Sequence, residues 1–90
     1  MVYAVVETVT ITDFDKARKE LQTMLPNIKQ TPGFTGGYWL APTNGTGMSV
    51  TVYETEEAAN AVKEQMKPGT KLNDYVIVAT VEVREVVANL

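Results

Sequence analysis

Residues 31–40 join two different hydrophobic periodicities, and this junction constrains the fold more than any other part of the chain. Before it, apolar residues recur at three- and four-residue steps, which predicts an amphipathic helix that Pro32-Gly33 ends. After it comes an aromatic strand with Trp39, the only tryptophan of the chain. A helix that leads at once into such a strand is typical of a layered α and β domain. The strand is then either one wall of a small-molecule cleft or simply part of the core.

Strand and helix patterns alternate along the rest of the chain. Asn44-Gly45 supplies the positive backbone angles of a tight hairpin turn between two of the strands. The order β-α-β-β-α-β predicts an α+β, ferredoxin-like fold: a four-stranded antiparallel sheet with two helices on one face. The predicted strands are 2–11, 34–41, 47–54 and 74–87, and residues 70–73 are predicted to be a polar link. In the last strand, Tyr75, Ile77, Ala79, Val81 and Val83 are predicted to share one face.

The two predicted helices begin at short polar residues that can cap them. Asp13, or Thr12 before it, suits the first helix, and Thr55 suits the second. Pro26 predicts a kink or a break in the first helix. Its charged residues, Arg18 among them, are assigned largely to the side opposite the apolar stripe.

The first strand is apolar on both alternating faces, with valines at 2, 5, 6 and 9. The two helices cover only one face of the sheet, so the other face needs a second cover. The same sheet from a second copy is the simplest one, because it closes a two-fold dimer. We therefore expect an obligate homodimer through the sheet faces.

Composition limits the classes of protein that are possible. Ninety residues suit one domain, taken as 1–90. A net charge of −3 argues against nucleic-acid binding, which needs a cationic field. The apolar run around residues 75–79 is far too short to cross a bilayer, and the first residues resemble no signal peptide. The expectation is a soluble, cytoplasmic protein with no membrane partner.

The chain has neither cysteine nor histidine. This excludes a disulfide framework, thiolate chemistry and a Ser-His-Asp triad, and removes the commonest metal and haem ligand. No metal site and no cofactor are expected. Any catalysis must use carboxylates, tyrosines, lysines, amides or the reactivity of the substrate itself.

Two junctions resemble a known group. They are Pro32-Gly33-Phe34 at the start of the aromatic strand, and Val-Tyr-Glu-Thr-Glu-Glu-Ala-Ala at 52–59, where a strand leads into the second helix. With the element order, they are similar to the dimeric α+β barrel superfamily and, within it, to the antibiotic biosynthesis monooxygenase-like domains. The resemblance implies a homodimer with sheets packed face to face and a cleft between each sheet and its helices. It also implies either metal-free and flavin-free oxygenation of polyketide quinones or haem degradation.

The chain departs from the active members of that group at two positions. Tyr53 stands where the strand-to-helix junction often carries tryptophan, and Val62 lies near a frequent histidine on the second helix. Without histidine, haem degradation lacks its usual axial ligand. Cofactor-independent oxygenation remains, because it relies on substrate acidity and on polar and aromatic positioning.

The candidate site residues are aromatic or acidic. Tyr38 and Trp39 point to opposite faces of their strand, so one is expected in the cleft and the other at the dimer interface; either can equally be core. The candidates for catalysis are Tyr53, Trp39 and Glu7, and those for ligand binding are Tyr38, Trp39, Tyr53 and Asn60. Asn60 is otherwise a solvated helix residue.

Glu7 is an acid within an apolar strand. If it is buried, its charged form is disfavoured and it can accept a proton near neutral pH. The simpler interpretation, and the favoured one, is a salt bridge with Arg84 or exposure at a strand edge.

Two functions follow as hypotheses. The first is a cofactor-independent monooxygenase-like enzyme that acts on a small aromatic or acidic substrate between sheet and helices. The alternative is a non-catalytic ligand-binding or structural dimer module on the same scaffold. A cavity of roughly 300 Å³ or more beneath the helices favours a ligand, whereas Phe14, Leu21, Trp39 and Met66 filling that space would count against both ligand hypotheses.

Overall fold

The computed structural model describes residues 2–90. Its strands form one antiparallel sheet in the order β2-β3-β1-β5-β4, with β1 at the centre. The elements are β1 (Tyr3–Ile11), α1 (Phe14–Lys29), β2 (Phe34–Thr43), β3 (Thr46–Tyr53), α2 (Glu56–Gln65), β4 (Lys71–Asn73) and β5 (Val76–Glu85). The fold is the predicted α+β, ferredoxin-like one, with one strand more than the four expected. The extra strand, β4, forms where a polar link was predicted, because Lys71 and Asn73 pair with β5.

The face assignment of the last strand is wrong in its first half. Val78 pairs with Val9 and Thr80 with Thr8, so one residue of β5 is extra at this point of the ladder. Such a β-bulge reverses the alternation of side chains. Val76 and Val78 therefore face the helices, as Val81 and Val83 do, and Ile77 is partly exposed on the opposite face. We call the helix-side face of the sheet the inner face and the other the outer face.

Both helices begin at the predicted caps. The Lys16 backbone N–H donates to Asp13 Oδ1 over 3.1 Å, and the Ala58 N–H donates to Thr55 Oγ1 over the same distance. A side chain that accepts in this way satisfies a helix donor that otherwise has no partner. The first helix runs as one element through Pro26 and ends at Lys29, so the predicted break does not occur.

Glycine is required at two turns. Asn44 and Gly45 both have positive φ, 53° and 79°, which is the geometry of the predicted two-residue hairpin turn. Gly33 has a φ of 80°, and a Cβ placed on it would lie 2.8 Å from the Ala58 Cβ. The Gly33 carbonyl also accepts from the Glu54 N–H at 2.8 Å. The Pro-Gly-Phe junction thus ties the start of β2 to the end of β3, directly beneath α2.

The packed hydrophobic cluster lies under α2, and Ala17 is the buried residue of α1. Val5, Tyr53 and Ala59 are the buried centre of this cluster, and the small Ala58 and Ala59 let α2 approach the sheet closely. Val81 and Val83 of β5 pack against the same cluster. In the described part of the chain, no helix is long and apolar enough to span a bilayer.

Candidate functional site

A cavity of about 400 Å³ lies between α1 and the inner face of the sheet. We call it the cleft. The apolar stripe of α1 forms its roof, with Phe14, Ala17, Leu21, Met24 and Ile28. Val62 and Met66 of α2 close one side. Phe14, Leu21, Trp39 and Met66 therefore line this space and do not fill it. Its volume is above the roughly 300 Å³ at which ligand sites begin.

A row of paired residues crosses the floor of the cleft. Trp39 of β2 is paired with Ser49 of β3, and Ser49 is paired with Glu7 of β1. Paired residues on adjacent strands point to the same face of a sheet. All three line the cleft, so the strand register places an indole, a hydroxyl and a carboxyl side by side beneath α1.

Glu7 is the acid of this row and is only 9% exposed. It has no ion-pair partner within residues 2–90, and burial raises the pKa of its carboxyl above the usual 4.5. The favoured sequence interpretation, a salt bridge with Arg84 or exposure at a strand edge, is wrong on both counts. Arg84 Nη2 donates to Glu82 Oε2 at 3.0 Å, and β1 is the central strand of the sheet. Glu82 and Arg84 lie on the outer face, because Val81 and Val83, their neighbours in the strand, face the helices. Glu7 is thus a carboxyl that opens only to the cleft.

Tyr53 ends β3, and the structure places it between the core and the cleft. Its side chain is 3% exposed, and its ring meets that of Phe34 edge to face, with centroids 5.8 Å apart. Burial raises the pKa of its phenol; the nearby Thr51 hydroxyl opposes this shift, and the charge of Glu7 adds to it. Tyr53 is therefore a neutral phenol within electrostatic reach of Glu7.

The other two predicted ligand-binding residues lie outside the cleft. Tyr38 is 74% exposed on the outer face, since its strand neighbour Trp39 points inward. Asn60 is exposed on α2 and does not line the cavity. The prediction that Tyr38 and Asn60 bind a ligand in the cleft is therefore wrong. Of the two adjacent aromatic residues, only Trp39 lines the cleft.

Arg18 lines the cleft, although its sequence position was assigned to the polar side of α1. The guanidinium lies 5.7 Å from the centre of the Phe14 ring, within range of a cation–π contact. The spacing along α1 indicates this position. Arg18 comes four residues after Phe14 and three before Leu21, and both of these belong to the apolar stripe. A long basic side chain on such a stripe can extend along the apolar surface and keep its charge at the rim.

The sequence matches no family model and no curated protein. Solved structures with the same fold include two of MhuD. One is a mutant with two manganese protoporphyrin IX molecules bound per active site; it is 22% identical, with a TM-score of 0.68 over 100% of this chain and 98% of that chain. The other is the haem degrader MhuD from Mycobacterium tuberculosis with two haems bound in its active site; it is 27% identical, with a TM-score of 0.52 over 96% and 98% of the two chains.

These likenesses establish the fold. The chain has the antibiotic biosynthesis monooxygenase-like fold of the dimeric α+β barrel superfamily, as the two sequence junctions predict.

The residues that line the cleft do not fit a resident haem. Protein haem iron is held by histidine, cysteine, methionine or tyrosine, and the first two do not occur in the chain. Tyr53 is held as a neutral phenol, which disfavours the phenolate that binds iron. The thioethers of Met24 and Met66 remain, because Met48 borders the cleft but its register with Thr8 places its side chain on the outer face. Methionine serves such sites beside a histidine. No cluster of acidic residues suited to a metal ion occurs among residues 2–90 either.

The cleft therefore combines an apolar, aromatic enclosure with one buried base and one cation. A carboxyl in such a place is suited to take a proton from a bound apolar acid. A guanidinium on the opposite wall can hold an anionic group of the same ligand.

Proposed function

We propose that the protein is a cofactor-independent, monooxygenase-like enzyme that acts on a small, planar aromatic substrate with an acidic C–H group. Glu7 carries the proposal: it is a carboxyl without an ion-pair partner on the floor of an apolar cavity of about 400 Å³. The MhuD structures, which have the same fold, hold planar aromatic macrocycles in their active site. The proposal needs no cofactor, in keeping with the donor set of this cleft.

The chemistry begins with proton transfer. The Glu7 carboxylate takes a proton from an activated methylene of the substrate, and the electron pair left on carbon is delocalised over the ring system. Dioxygen accepts electrons from this carbanion, a C–O bond forms, and the resulting peroxide anion takes the proton back from Glu7. Loss of water from the hydroperoxide breaks the O–O bond and leaves a carbonyl. The balance is R₂CH₂ + O₂ → R₂CO + H₂O, with no outside reductant.

The raised pKa of Glu7 suits the first step. A base is most effective when its pKa lies near the working pH, and burial moves a carboxyl in that direction. Trp39 offers a flat surface for the substrate ring, and the Tyr53 hydroxyl can donate to the oxygen that gains charge. Arg18 is positioned to bind an acidic substituent at the rim.

We also propose that the protein is a homodimer through the outer face. Tyr38 is the most exposed aromatic side chain of that face, and Leu40, Met48 and Ile77 are also exposed there. Tyr38, Leu40 and Met48 are neighbours on β2 and β3, and exposed apolar residues grouped in this way are typical of an interface. A second copy is the partner that covers it without leaving an equivalent face open.

Oxygen uptake with anthrone tests the enzyme proposal, because anthrone is planar and its methylene becomes part of an aromatic anion on deprotonation. The wild type is expected to accelerate uptake and to convert anthrone into anthraquinone. Glu7→Gln should lower the rate by about 10²–10⁴-fold, the usual contribution of a general base. Glu20→Gln, an exposed acid of α1 outside the cleft, is the matched control and should keep full activity. Equal rates for wild type and Glu7→Gln would reject Glu7 as the base.

The second candidate function is non-catalytic binding of the same class of ligand. It is favoured by the lining of the cleft, which is apolar except for Glu7, Arg18 and a few hydroxyl and amide groups. This candidate predicts that anthrone binds and quenches the fluorescence of Trp39 while oxygen uptake stays at the rate without protein.

A further inference from the structure

A second cavity, of about 300 Å³, lies beside the cleft, between the end of α1 and the start of β2. Its wall is almost wholly apolar, with Leu25 from α1 and Phe34 from β2, and Lys29 supplies the one cationic side chain among the described residues that line it. None of these three residues lines the cleft. The second cavity is therefore distinct from the cleft, and it is the more open of the two to solvent.

Two residues line both cavities: Ile28 of α1 and Trp39 of β2. A side chain that borders two cavities lies between them. Ile28 comes down from the last turn of the helix, and Trp39 rises from the sheet, where its backbone is paired with Ser49. Together they form a partition across what would otherwise be one continuous space beneath α1.

The two sides of this partition differ in size by only a quarter, so its removal nearly doubles the space open to a ligand. Trp39 supplies the larger side chain of the two. The indole is also half-buried and held on a paired strand, so it forms a fixed wall and not a loose flap.

We propose that Trp39, with Ile28, is a specificity-determining residue that limits the length of the ligand. The compartment behind it is then an extension that suits the end of an elongated planar aromatic acid, whose anionic group meets Lys29. This rests on the proposed function only in that the cleft must bind an aromatic ligand. It requires neither oxygen chemistry nor a role for Glu7.

The test is calorimetric titration with two probes of the same chemistry and different length, naphthalene-2-carboxylate and 6-phenylnaphthalene-2-carboxylate. The quantity compared is the ratio of the two dissociation constants, because a general loosening of the fold changes both in the same direction. The wild type should prefer the short probe. Trp39→Ala should shift the ratio about tenfold toward the long probe, and Ile28→Ala should shift it in the same direction by less.

Leu25→Ala is the matched control, because Leu25 lines the second cavity alone. It enlarges that compartment by the same cut in side-chain volume as Ile28→Ala and leaves the partition in place. Its ratio of dissociation constants should therefore equal that of the wild type. Far-UV circular dichroism and a cooperative thermal transition establish that each variant is folded.

The outcomes separate the two proposals. An unchanged ratio in folded Trp39→Ala, or an equal shift in Leu25→Ala, overturns the partition and leaves the cleft proposal standing. Failure of the short probe to bind the wild type rejects both. A shifted ratio in a protein that does not consume oxygen supports the partition and counts against the enzyme.

Discussion

Glu7 is the residue on which the proposed chemistry depends, and its position has an energetic cost. A carboxyl moved from water into an apolar cavity loses hydration, and in this structure no cationic group compensates for the loss within residues 2–90. A residue that costs stability at a cavity floor is typical of a functional site. The same cost provides a test that does not depend on any substrate.

Replacement of Glu7 by glutamine is expected to change how stability depends on pH. A carboxyl with a raised pKa in the folded protein contributes stability that is fully present below its unfolded pKa, and that contribution is lost as pH rises through the folded pKa. The wild type should therefore lose stability relative to Glu7→Gln between pH 4.5 and the raised pKa of Glu7. Urea unfolding of both proteins across this range measures the difference. If the free energies of unfolding of the two proteins change in parallel with pH, folding does not raise the pKa of Glu7.

Arg18 is expected to select ligands by charge. The affinity of Arg18→Gln for naphthalene-2-carboxylate should fall by about 10- to 100-fold, since a hydrogen bond to a charged group contributes about 1.5–3 kcal/mol. Its affinity for neutral 2-acetylnaphthalene should not change. Quenching of Trp39 fluorescence is a suitable readout, because this single tryptophan lines the cleft. Arg84→Gln is the control, since the only other arginine pairs with Glu82 on the outer face. A similar loss in both variants would mean that net charge, and not Arg18, attracts the anion.

The residues of the site could be predicted only in part. Glu7, Trp39 and Tyr53 stand out in the sequence because an acid or a large aromatic group interrupts a strand pattern. Arg18 does not stand out, since a basic residue beside an apolar stripe usually belongs to the solvated face. The guanidinium of Arg18 reaches the cleft only because α1 lies over a cavity.

At the scale of elements, the two helices differ in what holds them. The small residues of α2 lie on the buried core, whereas the stripe of α1 faces the cleft. A helix over a cavity makes fewer apolar contacts with the sheet, so its ends contribute more to its order. We therefore expect α1 to depend more on its N-cap than α2 does.

Loss of the N-cap should therefore have different consequences in the two helices. Asp13→Ala and Thr55→Ala should each cost about 1 kcal/mol of unfolding free energy. Asp13→Ala should also weaken binding of naphthalene-2-carboxylate, because the roof of the cleft frays, while Thr55→Ala should bind as the wild type does. Chemical denaturation and calorimetric titration give the two quantities. Equal binding losses would show that α1 and α2 support the cleft alike.

Local signals account for most of the elements that the sequence predicts. The caps, the Asn44-Gly45 turn and the Pro32-Gly33 junction act within a few residues, and the structure has each of them where expected. The bulge in β5 and the short β4 depend on the pairing of distant strands. Hydrophobic periodicity within one segment contains no information on such a register, which is why the faces of residues 75–79 were misassigned.

At the scale of the whole molecule, the proposed homodimer would remove the exposed apolar residues of the outer face from water. Sedimentation of the wild type at micromolar concentration is expected to give a dimer. Tyr38→Glu should give a folded monomer, since it places a charge on the most exposed aromatic residue of that face. Leu90→Glu adds the same charge at the end of the chain and should stay dimeric. Sedimentation of the wild type as a monomer would contradict the proposed homodimer.

The central claim is that the cleft binds a planar aromatic acid and that Glu7 removes its proton. The most direct measurement is the absorption spectrum of anthrone with the protein in the absence of oxygen, where the first step can proceed and the later ones cannot. The wild type near neutral pH is expected to show the long-wavelength band of the anthrone anion, and Glu7→Gln is expected to lack it. Anthrone that binds the wild type and keeps the spectrum of its neutral form would contradict the account.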